Sequence, residues 1–392
     1  MPIPLGSAFS REALEARFRD EPDWLKTRRR LAWERFESSP WPSRADEEWR
    51  RTDLARLDYR GIARLGGGQT TMDGAALFGH APESCEQAGP RPSRETKFTA
   101  LNEAFAEAEA LVHVAPGATR LASIVRRGGE AFFPRTLVVL EERSEAVVVE
   151  VEEDDSCRSG LCSGLAELRV GPGAKLTYVR VQVLGEGVGN FDTIQATLKA
   201  GSDVTLVVAN AGGQLTKQFV EASLVGEGAR LGLFGLTAGA RSQHHDIQAT
   251  IVHAAPSTTS DVLYRTALRG RARSVFVGTI QVKKGASKTD AYEASRNLLL
   301  SKEARADSIP RLEIETDDVR CGHASATGPL DEEQLFYLMS RGLTAGEAEN
   351  LIVEGFFADA LTRAPGGGEL GWVPDFVRGS LMRVLEGRDR HG

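Results

Sequence analysis

The 392-residue chain predicts a mainly β protein: a β-solenoid of stacked coils between two helical regions. Three observations carry this. From about residue 110 to 325, short β-rich runs follow one another with glycine-containing turns and no helical spacing between them. The turns repeat: Gly173-Ala174-Lys175-Leu176, Gly201-Ser202-Asp203-Val204 and Gly228-Ala229-Arg230-Leu231 share the order glycine, small, charged, aliphatic, at intervals of 28 and 27 residues. A weaker copy is read at Arg271-Ala272-Arg273-Ser274. A period in the high twenties with two or three strands per period indicates coils stacked on one another. A large β-sandwich with repetitive turns is the alternative.

The elements follow in order. Ser10 is placed to cap a helix over Arg11 to Arg19, and a second helix runs from about Asp23 to Ser38 with Trp24, Leu31, Trp33 and Phe36 available for burial. Pro40-Trp41-Pro42 ends it. Residues 61 to 97, rich in Gly, Pro, Ser and Thr, read as a connector of low order. Strands are expected at Leu137 to Leu140, Ala146 to Val151, Leu165 to Val170, Leu176 to Leu184, Ile194 to Leu198, Val204 to Val208, Ala229 to Leu236, Ile247 to Val252 and Val275 to Val282. After Gly328, Asp331 caps a helix to about Arg341, with Gln334 at the reciprocal position, and Gly342 stops it. Thr344-Ala345-Gly346-Glu347 is a capping box for a helix striped by Ala348, Leu351, Ile352, Gly355 and Phe356, a face for packing or for a partner. Pro374 to Glu386 reads as a last amphipathic helix. The expected units are 1–105, 106–325 and 326–392.

Composition bounds the function. A net charge of −7 argues against nucleic-acid binding as the main task, since phosphate binding wants a basic surface. Four cysteines (Cys85, Cys157, Cys162, Cys321) do not make a disulfide framework in this length. No signal peptide is read at Met1-Pro2-Ile3-Pro4, and no apolar run reaches the roughly 18 residues of a membrane span, so a reducing cytoplasm is the expected location. A Walker-type phosphate loop and a nucleophile elbow are both absent. Cys157-x-x-x-x-Cys162, read in an acidic loop (Glu152 to Asp155), has no second ligand pair at zinc spacing, and His244, His245 and His253 read as ordinary histidines.

The chemistry concentrates in Asp317-Asp318-Val319-Arg320-Cys321-Gly322-His323. In a strand, residues two apart share a face, so if the run from Arg311 to His323 is extended, Cys321 and His323 project together. A thiolate with an imidazole suits iron, zinc or copper, but two donors do not close a four-coordinate site. The rest must come from elsewhere in the chain, from a partner, or from sulfide.

The tract from Lys288-Thr289-Asp290-Ala291-Tyr292 through Asn297-Leu298-Leu299-Leu300-Ser301, Ile309-Pro310-Arg311-Leu312-Glu313-Ile314, the Asp-Asp-x-x-Cys-x-His run and Asp331-Glu332-Glu333-Gln334-Leu335-Phe336-Tyr337 resembles the SufB/SufD family, the β-helix subunits of the Suf iron–sulfur assembly system. Trp41-Pro42-Ser43-Arg44 and Glu48-Trp49-Arg50-Arg51-Thr52 resemble the family's start. The resemblance implies a right-handed parallel β-helix. Ala304 stands where a SufB-type subunit carries its scaffold cysteine, so the likeness is to SufD. It further implies a non-catalytic scaffold and adaptor that pairs with a SufB-like paralogue through the β-helix and with a SufC-like ABC ATPase through the C-terminal helices. Gln334, Phe336, Tyr337, Leu351, Ile352 and Phe356 are the expected ATPase contacts. His323, with Cys321 beside it, would hold a transient iron–sulfur cluster shared with SufB, and Asp317 and Asp318 are candidate supports for the histidine. A homodimer when isolated, a homodimeric SufB-type scaffold, and a carbohydrate-active solenoid enzyme are the other readings.

Overall fold

The computed structural model describes residues 3, 5–18, 21–66, 68–77, 94–107, 109–154, 159–362 and 371–387. Its core is a parallel β-solenoid of about seven turns. Each turn contributes one strand to each of two sheets. One sheet carries β1(Gln69–Asp73), β4(Thr119–Arg127), β7(Glu145–Glu153), β9(Lys175–Leu184), β11(Asp203–Gly212), β13(Arg230–Gly239), β15(Thr259–Leu268), β17(Thr289–Leu299) and β19(Val319–Pro329), in that order. The other carries β2(Ala76–Leu77), β3(Ala110–Val114), β6(Arg135–Leu140), β8(Gly160–Val170), β10(Val188–Leu198), β12(Leu215–Leu224), β14(His244–His253), β16(Arg273–Val282) and β18(Arg305–Ile314), with β5(Ala131–Phe132) beside β8.

The period rests on one turn geometry. Gly173, Gly201 and Gly228 hold φ of 64°, 63° and 70°, the left-handed region that glycine enters at least cost. Arg143, Ser257 and Lys288 hold the same place in other coils, with φ of 54°, 57° and 58°. Each donates its N–H to a carbonyl of the next coil's turn, as Gly201 does to Glu227 at 2.9 Å and Lys288 to Asp318 at 2.6 Å. The expected weaker copy at Arg271 to Ser274 belongs instead to the opposite edge. It precedes β16 of the other sheet, and Arg271 N–H bonds back to Arg241 O.

The solenoid interior is layered. Aliphatic side chains such as Val148, Leu176, Leu206, Leu233 and Val262 meet Leu168, Ile194, Val220 and Ile247 from the facing sheet. Further along the strands the interior turns polar. Glu150 accepts from Arg126, from the Tyr178 hydroxyl, from Thr136 Oγ1 at 2.7 Å and from Arg180 at 3.2 Å, and Arg180 also pairs with Asp192 at 2.6 Å and Glu152 at 2.7 Å. These charges are buried, so pairing within the group is what makes their burial tolerable. The acidic stretch read as a loop therefore starts as strand: Glu152 and Glu153 end β7, and Cys162 is buried in β8, while Cys157 and Cys85 lie outside the described residues.

Helices cover both outer faces. Helices α1(Arg11–Arg17) and α2(Asp23–Ser38) and then α3(Lys97–Phe105) pack on the ten-stranded sheet, where Trp33, Trp49, Phe98 and Phe105 meet Phe191 and Phe219. Ser10 caps α1 as expected. Trp33 and Phe36 are buried on α2, but Trp24 and Leu31 stay 38% and 53% exposed because α2 packs one face only. At the other end of the chain, α4(Glu332–Ser340) follows β19 and carries no buried residue. Asp331 caps it, accepting from the Glu333 and Gln334 N–H groups. Helices α5(Ala345–Leu361) and α6(Val373–Glu386) fold back onto the nine-stranded sheet, placing Val353, Phe357, Val377 and Leu381 on Val181, Val207 and Phe234. The buried face of α5 is Ala348, Val353, Phe357, Ala360 and Leu361. Of the stripe expected from the sequence, Leu351 remains 50% exposed.

Candidate functional site

The chain does not extend Arg311 to His323 as one strand. A turn at residues 315–318 separates β18 from β19, and Cys321 and His323 both lie on β19. β19 pairs in parallel register with β17, Cys321 beside Ala291 and His323 beside Glu293. On β17 the odd positions Thr289, Ala291, Glu293, Ser295 and Asn297 are buried, while Asp290, Tyr292 and Arg296 are not. Side chains stacked in a parallel sheet share a face, so Cys321, His323, Ser325 and Thr327 face the lumen. Among the described residues no further coil follows β19, and the donors stand at an open end.

Around them the lumen floor is polar. Ser295 and Ser308 share a hydrogen bond of 2.9 Å, and Asn297 donates to Ser308 at 3.0 Å and to Thr327 at 2.9 Å. Glu293 crosses the lumen to the backbone of β16, where a Cβ on Gly278 would overlap its carboxylate. Burial pushes the Glu293 carboxyl up to about 7, next to the position of His323. Sequence reasoning missed Glu293. Its signal is parity within Thr289 to Asn297, one coil before the Cys-x-His pair.

Cys321 is half-buried against Ile280, Val282 and Ala291, and burial, with Asp290 nearby, raises its thiol pKa. His323 is exposed. The imidazole is thus the readier donor, whereas the thiol must first lose a proton. Asp317 and Asp318 do not support it. They sit in the turn at the start of β19, and Asp318 lies five residues from His323, about 16 Å along an extended strand. Asp318 serves instead through its carbonyl, which accepts from Lys288. Ala304 is buried in the turn before β18, packed with Leu268 and Ala272. Among the described residues no three His, Cys, Asp or Glu side chains converge to hold a metal ion.

The other expected contacts lie on α4 and α5. Phe336 and Tyr337 are 74% and 55% exposed, Gln334 is exposed, and Leu351 joins them, while Ile352 and Phe356 are half-buried. Phe356 lies under the Arg265 guanidinium, 5.1 Å from its ring centre. His245 and His253 are buried and neutral, held down to about 3 and about 4 by desolvation; His253 bonds Thr258 and Ser260 at 2.8 and 2.9 Å. Burial likewise raises the Cys162 thiol pKa. Among the described residues no helix is long and apolar enough to cross a membrane.

Comparison with known proteins gives a consistent result. Residues 123–356 match the family model described as the SUF system FeS cluster assembly, SufBD core domain. The chain is 34% identical over 266 residues to an iron–sulfur cluster assembly SufBD family protein of Mycobacterium tuberculosis, an alignment covering 66% of this chain and 64% of the relative. A Mycobacterium leprae protein of the same description is 36% identical over 250 residues, covering 62% of this chain and 61% of the relative. A second Mycobacterium tuberculosis protein of that description is 34% identical over 196 residues, only 23% of its own length.

Proposed function

The chain belongs to the SufB/SufD family of iron–sulfur cluster assembly proteins, and from that premise we propose that it is a SufD-type subunit of a Suf assembly complex in the cytoplasm. It is a scaffold and adaptor without catalytic machinery of its own. The observation that carries this is the pair Cys321 and His323, facing the lumen at an open solenoid end with no third donor from the described residues. A second subunit meeting that end, a SufB-like paralogue, completes the set, and Ala304 leaves the scaffold thiol to that paralogue. The nascent cluster is cargo: His323, with Cys321 as an adjacent thiol, holds it until it is passed on.

The exposed aromatic face of α4 supports the second half of the proposal. Phe336, Tyr337 and Leu351 offer an uncovered apolar surface to a SufC-like ATPase. Helix α5 is tied to β15 by Arg265 and Asp359 at 2.8 Å, with Arg269 and Glu349 as a second tie. Nucleotide-driven movement of the ATPase would therefore bear on the last coils and on the donors they carry.

The test is cluster formation by the complex reconstituted with His323→Ala, followed by visible absorbance and bound iron. The expected result is a folded, complex-forming variant that assembles no cluster, with Cys321→Ser losing less. Normal assembly by His323→Ala would sink the ligand role.

A further inference from the structure

The outer face of the ten-stranded sheet carries a basic row that neither the cluster site nor the C-terminal helices use. His244 opens β14 between Leu215 of β12 and Arg273 of β16, and Arg273 stands beside Arg305 of β18. Residues in register on neighbouring parallel strands share a face, about 4.8 Å apart. Leu215 packs outward with Phe219 against the N-terminal aromatics, so His244, Arg273 and Arg305 point outward too. His245, the next residue, turns into the lumen beside Gly239 and Leu268. Against the start of β14 lies the helical turn Leu54–Arg56, where the Arg56 carbonyl accepts from Gln214 at 3.5 Å.

His244 is the unusual member of this row. It is only 7% exposed, and its Nε2 has no hydrogen-bond partner among the described residues. A buried polar nitrogen left unpaired costs free energy that an arriving partner recovers. Burial holds the imidazole below its ordinary pKa; Asp246 opposes this, while Arg56, Lys217 and Arg273 add to it. The neighbouring carboxylates are engaged or lie further along. Asp246 is taken by Lys217 at 2.9 Å and by the Thr52 hydroxyl, Asp53 caps the Ala55 N–H at 3.0 Å, and Asp307 stands one row beyond Arg305. Arg56, Arg273 and Arg305 are exposed and have no ion-pair partner among the described residues. A chain of net charge −7 thus gathers uncompensated positive charge at one place.

We propose that His244, Arg56 and Arg273 bind a phosphate group, with Arg305 at the outer edge of the site. Guanidinium forks match phosphate oxygens in geometry and charge. A neutral imidazole with its proton on Nε2 donates to a further oxygen. An imidazole this buried is reached by one small group entering between two arginines, not by a broad acidic protein surface. The ligand is therefore a single phosphoryl group, either the free ion or the end of a nucleotide. The site draws on neither iron nor a second subunit, so it stands or falls separately from the cluster-ligand reading.

The experiment is titration of the full chain with inorganic phosphate, followed through the imidazole proton signals of His244. The His244→Gln variant, which lacks those signals, identifies them. The expected result is a saturable shift at millimolar phosphate that sodium chloride of equal ionic strength does not reproduce. Arg56→Ser and Arg273→Ser should each weaken binding about tenfold with an unchanged thermal melt. Repeating the titration with ATP separates the two sources. Tighter binding than phosphate assigns the site to the terminal phosphate of a nucleotide, and equal or weaker binding assigns it to the free ion. A shift that does not saturate, one that chloride reproduces, or arginine variants with wild-type affinity would each overturn the proposal.

Discussion

Burial under the terminal coil moves the Glu293 carboxyl from 4.5 to about 7, and desolvation is the cause. Below about pH 4.5 the residue is neutral folded and unfolded; between there and about 7 only the unfolded chain ionises, so stability falls as pH rises, and above 7 the whole cost applies. The full effect is on the order of 3 kcal/mol. His245 and His253, lowered to about 3 and about 4, act the other way, withdrawing stability as pH drops below the ordinary histidine value of 6.5. Glu293→Gln is therefore expected to remove the loss on the alkaline side while leaving the acid side untouched, read as melting temperatures at about pH 5 and about pH 8. Equal shifts at both would mean that Glu293 is not the titrating group. At this scale the sequence is half legible. Cys321 and His323 announce themselves by residue type and spacing, whereas Glu293 is one carboxylate among many until the coil period places it under them.

The strands show the same division. Val204 to Val208 and Ala146 to Val149 are mostly apolar runs of the kind a buried strand shows. β12 escapes a reading by pattern, because Lys217, Gln218 and Glu221 break the alternation; the structure buries Lys217 against Asp246 at 2.9 Å, beneath the N-terminal segment. Tertiary cover, invisible to local periodicity, decides such strands. Helix α5 poses the problem in reverse. Its apolar residues cover more than one face, and only contact with the nine-stranded sheet selects Val353 and Phe357 for the core. Phe357→Ala should thus cost about 3–5 kcal/mol in a denaturant titration. Leu351→Ala should stay within about 0.5 kcal/mol. Equal costs would mean that α5 turns a different face to the sheet. If the proposed ATPase partner docks there, Leu351→Ala and Phe336→Ala are instead expected to weaken its capture, the property an uncovered face would serve.

At the scale of the whole molecule the two ends of the solenoid differ. At the first, β1 lies antiparallel on β4 and β2 antiparallel on β3, so the parallel stack stops against reversed strands. At the last, β18 and β19 are the outermost strands of their sheets among the described residues, the arrangement that invites another chain. Nothing in composition marks which end is open; the clue is local, in Pro310 and in the alternating charges of β18. Exposure of one edge has a signature at single-amide resolution. The N–H groups of Asp307, Ile309, Arg311 and Glu313 are directed at β16, while those of Ala306, Ser308, Leu312 and Ile314 face outward, with no strand beside them among the described residues. Hydrogen exchange along β18 in the monomer should therefore alternate, fast at even positions and slow at odd ones, superimposed on slower exchange of the middle coils. Whatever docks on this edge as a strand must slow the even amides and leave the odd ones nearly unchanged. Uniform protection along β18 in the free chain would mean the edge is already covered, and a partner that binds without slowing Ala306, Ser308 and Leu312 must use a surface other than the solenoid's open end.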